Sequence, residues 1–503
     1  MDTKHSKISV LMFPWLAYGH ISPYLELAKK LAKRNFFIYL CSTPINLSSI
    51  KKNIEEFSLP IELVELHLPT LPEPPPSPEF PPHYHTTNGL PPHLMSTLKK
   101  AFGMANENFY EILNTLKPDF LIYDILQPWA PAIAKQLNIP AIYFITTGAV
   151  NTSFMFHVLK DPSNEFHFPE IGLHGYESVT LTNFLKSSEK DSFTECFIEC
   201  LKRSSEIVLI KSFREIEGKY IDYLSELAGK EIIPVGPIVK EPNNKDEQSD
   251  IIKWLDKKDE SSTVFVSFGS EYFLSEMEMK EMGHGLELSN VNFIWVVRFP
   301  GGEKKRTVEE ALPEGFLARI GKRGMAVEGW APQGKILAHA NIGGFVSHCG
   351  SSSLMESIKY GVPIIAIPMQ LDQPINAKLV EHIGIGVEVV RDENGRLQGE
   401  KVATMTKNVV VEKNGKVVEL KCLRPCNHFD EMQDLEFFKG DEIRSGSNGG
   451  CKGIIVLWKT IQDRLESEDE TWKLELQWHL MRADLLEKLE KPLKIRRWSL
   501  LGL

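Results

Sequence analysis

Short apolar runs recur along the chain, separated by longer amphipathic or polar stretches. Residues 8–13, 37–40, Phe120–Tyr123, 141–144 and Ile207–Ile210 are each short and apolar, which fits buried strands. Between the first two, Ile21, Tyr24, Leu25, Ala28, Leu31 and Ala32 recur at helical spacing. That predicts a helix over 21–34, joined to the first strand by a loop at 14–20. Strand, helix, strand in this order predicts an α/β domain with a parallel sheet. The rhythm returns at 264–268, 293–297, Ile342–Ser347 and 363–367, and 325–328 leads into Trp330. Between Ile342–Ser347 and 363–367 lies a second compact strand–turn–helix–strand unit.

The pattern breaks in three places. Residues 68–94 are crowded with proline and carry His83 and His85, which reads as a long surface loop. With no further ligand nearby, the two histidines belong to that loop rather than to a metal site. Residues 241–250 are polar and charged and fit a linker. From 417 the periodicity fades. Cys422, Cys426, His428 and Cys451 have a spacing that matches no strong zinc pattern, so they read as unpaired thiols. Leu474, Trp478, Met481, Leu485 and Leu489 allow one late amphipathic helix. The division predicted is 1–240, a linker at 241–252, a second domain at 253–416 and an atypical tail at 417–503.

Composition narrows the class. The chain has 503 residues, 42% hydrophobic and 25% charged, which is enough for two domains with their own cores. A net charge of −10 argues against a nucleic-acid surface. An anionic ligand must then be held by local N–H groups and histidine rather than by a broad basic field. The seven cysteines are scattered and suggest no secreted disulfide framework. The start has no signal-peptide pattern, and no run is long and apolar enough to span a bilayer. The expectation is a cytoplasmic monomer.

Candidate chemistry concentrates at 330–373. The turn His348, Cys349, Gly350, Ser351 and Ser352 follows a strand, and Ser353 with Glu356 three residues on reads as a capping box. Free N–H groups at such a helix start suit a phosphate. Trp330 offers a flat face for a base, and Asp372 and Gln373 offer partners for sugar hydroxyls. A plainer reading is a generic nucleotide-binding half with a capped helix. His20 falls in the first loop at a helix start, at the sheet edge where ligands bind in such folds. There it could be a capping or surface residue. Asp124 ends the strand Phe120–Tyr123 at the same edge, and could equally cap the next helix.

The same stretch resembles the nucleotide-sugar box of plant UDP-dependent glycosyltransferases. The resemblance rests on Trp330-Ala331-Pro332-Gln333, His339, Gly343-Gly344-Phe345, Ser347-His348-Cys349-Gly350, Ser353, Glu356, Gly361-Val362-Pro363, Pro368 and Asp372-Gln373. It extends to about Lys416 and implies two Rossmann-like domains facing across a cleft, the GT-B arrangement. In that reading the first domain binds the acceptor and the second binds a UDP-sugar, with UDP-glucose favoured. Gly19-His20 matches the family's catalytic base, and Asp124 its partner. The helix start favours a neutral imidazole at His20. Trp330 would stack on uracil, with Gln333 near the nucleoside and Glu356 on the ribose. Gly269, Ser270, His348, Ser352 and Ser353 would hold the diphosphate, Gly350 would let the backbone approach it, and Asp372 and Gln373 would read the sugar.

Inversion at the anomeric carbon needs one base, and neither metal nor further cofactor is implied. Ser351 and Ser352 stand where most relatives have Trp and Asn. Ser351 keeps its backbone N–H for the donor, and Ser352 resembles the branch that adds sugar to a sugar already on a terpenoid or flavonoid glycoside. Two other classes stay open. One is a UDP-sugar or glycoside binder without turnover. The other is a nicotinamide enzyme, against which stands the lack of a G-x-G-x-x-G turn after the first strand.

Overall fold

A computed structural model describes residues 8–55, 58–70, 80–187, 189–241, 250–299 and 307–411. Seven strands form the first sheet: β1 (Ser9–Phe13), β2 (Phe37–Ser42), β3 (Ile61–Glu65), β4 (Phe120–Tyr123), β5 (Ala141–Ile145), β6 (Ile207–Ile210) and β7 (Glu231–Pro234). Six form the second: β8 (Thr263–Ser267), β9 (Asn292–Val297), β10 (Gly324–Glu328), β11 (Ile342–Ser347), β12 (Ile364–Ala366) and β13 (Gly386–Glu388). Their orders are β3-β2-β1-β4-β5-β6-β7 and β10-β9-β8-β11-β12-β13, with every pairing parallel.

Purely parallel sheets are covered on both faces, so their central strands read as unbroken apolar runs. All residues of β5, β6 and β8 are buried accordingly. The first core is densely aromatic: Phe13 stacks on Phe109 at 4.3 Å and meets the edge of Trp129 at 5.7 Å. In the second, Trp295 is fully buried with its ring edge-on to Phe316.

Close backbone approach fixes one glycine. A Cβ on Gly343, in β11, would sit 2.1 Å from the carbonyl oxygen of Ser261. Neither backbone can yield without disturbing the β8–β11 pairing, whose register already shifts between Ile342 and Gly344. Gly343→Ala is expected to lose about 1–3 kcal/mol through overpacking. A fall in the thermal midpoint checks this, and an unchanged midpoint would contradict it.

Strand order reverses between β1 and β4, and again between β8 and β11. In open parallel sheets the ligand crevice lies at such a switch point, beyond the carboxyl ends of the strands. The first reversal places the loop after β1, with His20, beside the end of β4, with Asp124. The second places Gly269 and Ser270, after β8, beside the turn that follows β11.

Several expectations need revision. The first helix spans Tyr18–Ala32, so His20 lies in its first turn rather than in the preceding loop. The backbone N–H groups of His20 and Ile21 already bond to the carbonyl of Ala17 at 3.0 and 2.9 Å. The proline-rich segment is no solvated loop where it is described. It forms short 3-10 turns at Pro82–Tyr84 and Pro92–Leu94, and Thr86, Thr87, Leu90 and Leu94 are buried. Proline content signals a lack of long helices and strands, but not what the segment packs on. The helix Asp250–Leu255 begins inside the stretch expected to be linker. The cysteine group at 422–451, the late helix around Trp478 and the tail as a whole lie outside the described residues.

Candidate active site

The two switch points open into one cleft. It holds about 1620 Å³ of space counted out to open solvent. His20 and all twelve residues expected at the donor line it. Asp124 stands behind His20 and is buried.

The first side of the cleft is a histidine–carboxylate pair. His20 Nδ1 is 2.8 Å from Asp124 Oδ2, and the Thr146 hydroxyl is 3.0 Å from the same nitrogen. Asp124 is held in turn by backbone donors: Trp15 N–H reaches Oδ2 at 2.9 Å and Ile125 N–H reaches Oδ1 at 2.7 Å. With Nδ1–H donated to the carboxylate, Nε2 carries the lone pair and can take a proton from a group in the cleft. Burial lowers the pKa of His20, but the charge and hydrogen bond of Asp124 outweigh it, with smaller contributions from Glu271 and Asp372. The net shift is upward. The helix start therefore does not decide the protonation state, contrary to the sequence expectation. The neutral base is present above the raised pKa and is lost as pH falls through it.

The opposite side is built on the turn after β11. The helix Ser351–Tyr360 begins three residues earlier than expected, with Gly350 rather than Ser353 at its cap and no side-chain cap. Ser353 thus lies inside the helix, and the predicted capping box with Glu356 does not form. The two residues instead meet Gln333. Its amide Nε2 donates to Ser353 Oγ at 3.2 Å and to Glu356 Oε2. A spacing of three residues serves a capping box and a shared helix face equally well, so sequence could not separate them. Burial pushes the Glu356 carboxyl above its usual range, partly opposed by Gln333.

His348 is wedged between Gly269 and Gly350, where an added Cβ on either would lie 2.6 Å from Nε2. Gly269 also has φ +75°, so glycine is required there on two grounds. Burial lowers the His348 pKa to about 4, opposed by a backbone hydrogen bond at Ser267. The ring is therefore neutral near pH 7. Without a ligand it offers an N–H rather than a charge to an incoming anion. Asp372 accepts from Asn376 at 2.8 Å. The side-chain carbonyl of Gln373 accepts from the N–H groups of Met369 (3.0 Å) and Gln370 (2.9 Å), so its amide NH₂ is what remains for a ligand. Trp330 is 60% exposed, and Tyr18 supports it edge-on at 5.2 Å. His339, part of the quoted motif, bonds Asp256 and the Asn341 N–H, which is a structural role away from the cleft.

Four contacts that sequence reasoning missed join the two sides. Tyr18 meets Trp330, Thr87 Oγ1 donates to Glu271 Oε1 at 2.6 Å, and Arg298 donates to Asn88 Oδ1 at 2.9 Å. Lys211, at the carboxyl end of β6, donates to Ser352 Oγ at 2.7 Å. The sequence signal was a lysine directly after an all-apolar strand, at the edge that also carries His20 and Asp124.

Two parallel-sheet halves, each with its switch point on a shared cleft, constitute the GT-B fold. A Glycyrrhiza uralensis protein solved with glycyrrhetinic acid 3-O-monoglucuronide has the same fold, with TM-score 0.72 at 21% identity over 96% of this chain and 100% of that one. Residues 93–424 match the model of the UDP-glucuronosyl and UDP-glucosyl transferases, and the chain belongs to that family. It is 54% identical to UDP-glucosyltransferase 29 of Panax ginseng, over 87% of this chain and 96% of the relative. It is 53% identical to the β-D-glucosyl crocetin β-1,6-glucosyltransferase of Gardenia jasminoides, over 82% and 93%. The protein is thus an inverting transferase that uses a UDP-sugar as co-substrate. Among the described residues no helix is long and apolar enough to cross a membrane.

Proposed function

We propose that the protein transfers glucose from UDP-glucose to a sugar hydroxyl of a terpenoid or flavonoid glycoside. The observation that carries the catalytic reading is the His20–Asp124 pair, with Nε2 left facing the cleft opposite the turn at 348–353. An acceptor hydroxyl gives its proton to His20 Nε2 as its oxygen bonds to the anomeric carbon. The bond from that carbon to the diphosphate oxygen breaks, and UDP leaves with the electron pair. Attack from the face opposite the leaving group turns the α-linked donor into a β-glycoside. Asp124 fixes the tautomer and stabilises the imidazolium as it forms.

In this reading residues 1–240 bind the acceptor and 253–416 bind the donor. Trp330 stacks on the uracil, Gln333 and Glu356 meet the nucleoside, and the start of the helix Ser351–Tyr360 receives the diphosphate with Gly269, Ser270 and His348. Asp372 and Gln373 face the sugar. Binding without turnover has no observation in its favour, since the pair at His20 is intact.

Three features support a glycosylated acceptor. A relative at 53% identity is named a β-D-glucosyl crocetin β-1,6-glucosyltransferase, so its named acceptor already carries a glucosyl group. Ser351, Ser352 and Ser353 present a polar wall in place of bulk. The cleft is open to solvent and lined from both halves, which leaves room for an acceptor as well as a nucleotide-sugar. This room comes from the cleft itself, since the proline-rich segment closes against the second half at Thr87 and Glu271.

The purified protein with UDP-glucose is expected to use monoglycosides far better than the matching aglycones. Sites that bond hydroxyls reject analogues that leave those groups unpaired. Product mass and the linkage read by NMR test this. Preferred transfer to an aglycone's own hydroxyl would refute the acceptor class.

A further inference from the structure

The donor brings a doubly charged diphosphate to a site with little countercharge of its own. His348 is neutral near pH 7, and a helix start contributes only partial charge. Two carboxylates, Glu356 and Asp372, stand in the same wall. Arg298 lines the cleft but donates to Gly269 O and Asn88 Oδ1, and Lys240 and Lys335, which also line it, are only half-buried.

Lys211 differs from all of these. It rises from the end of β6, in the other half of the molecule, and is completely buried. Among the described residues no carboxylate lies within ion-pairing distance of its ammonium, whose hydrogen-bond partner is Ser352 Oγ at 2.7 Å. A buried charge without an ionic partner is destabilising, and is retained where something else compensates it. Ser352 lines the cleft in the turn that begins the helix Ser351–Tyr360. Because Lys211 occupies a lone pair of its oxygen, the serine proton is free to point at an anion in the cleft.

We propose that Lys211 is a positioning residue for the donor's diphosphate, supplied from the acceptor side: it holds Ser352 with its hydroxyl proton towards the phosphate and provides the buried positive charge that the phosphate completes. The proposal rests on the donor site described above. The groups facing Lys211 are Glu356 on the helix Ser351–Tyr360, Asp372 before the helix Gln373–His382, and Glu217 on the helix Arg214–Ala228. Burial lowers the lysine to about 8, and these carboxylates oppose the drop only in part. A bound diphosphate favours the charged form, so above about pH 8 UDP binding should draw a proton onto the protein.

The test compares uridine and UDP on wild type, Lys211→Met and Trp330→Ala. Lys211→Met is expected to weaken UDP about 10- to 100-fold, the range for a charge-assisted hydrogen bond, while uridine affinity holds. The unliganded variant should melt no lower than wild type, because an unpaired buried charge has gone. Calorimetry of UDP binding to wild type at pH 8.5, where the terminal phosphate of UDP is already ionised, should show proton uptake when run in two buffers of different ionisation enthalpy. This last measurement stands even if the variant fails to fold. Unchanged UDP affinity, equal loss of uridine and UDP, or no proton uptake overturns the inference alone. Failure of wild type to bind uridine and UDP, or indifference of uridine to Trp330→Ala, overturns the donor site and the inference with it.

Discussion

Replacing His20 with alanine is expected to lower kcat by about 10²–10⁴-fold, the usual contribution of a general base, and to leave UDP affinity near that of wild type. The reason is spatial separation. His20 touches Asp124 and Thr146 on one side of the cleft, while the residues placed around the nucleotide lie on the other. The fold should tolerate the change, because Asp124 keeps its bonds from the backbone N–H groups of Trp15 and Ile125. Turnover with UDP-glucose and titration with UDP on the same preparation give the answer. A folded variant with near-normal kcat would remove His20 from the chemistry.

Asp124→Asn should lower kcat by roughly 10²–10⁴-fold as well, by a different route. The asparagine is the same size but has one acceptor where the carboxylate had two. Three donors converge on Asp124, so at least one N–H must then face the new NH₂. Either the His20 tautomer is lost or a backbone bond is. A pH profile separates this from simple damage. Asp124 is the main influence raising the His20 pKa against burial. In wild type the acid limb of kcat/KM should therefore fall above the ordinary 6.5 of histidine, with activity rising as pH climbs through it. In the variant the limb should move to lower pH while the plateau drops. A plateau that falls with an unmoved limb would mean that Asp124 does not set the charge on His20.

What sequence revealed follows from burial. Strands β1, β4, β5, β6, β8, β9, β11 and β12 are enclosed by neighbours on both sides or nearly so, and each announced itself as an apolar run. The strands that passed unnoticed, β3, β7 and β13, are all sheet edges. Ile61–Glu65 has no buried residue, Glu231–Pro234 ends in proline, and Gly386–Glu388 is three residues long. An edge strand pairs on one side only and needs no continuous apolar pattern. The site was legible where a motif fixed spacing along the chain. It was illegible where two distant segments meet: Tyr18 under Trp330, Thr87 on Glu271, and Lys211 against Ser352. These pairings depend on how the halves face one another, which local patterning does not encode. The misassigned capping box at Ser353 has the same origin, since Gln333 reaches Glu356 from another helix.

The two sheets share no strand. Everything in the first comes from residues before 235, and everything in the second from residues after 262. Parallel pairing admits no local hairpin to start from, so each sheet must close long loops before its contacts reward it, which makes folding slow. During synthesis, however, the amino-terminal half emerges complete before the other half is finished, and domains fold as units in that order. The histidine and aspartate, 104 residues apart, can therefore meet on the ribosome while the nucleotide half is still unfinished. The nascent half then presents its open ligand edge, with the buried-to-be lysine at the end of β6, as the surface against which the second half assembles.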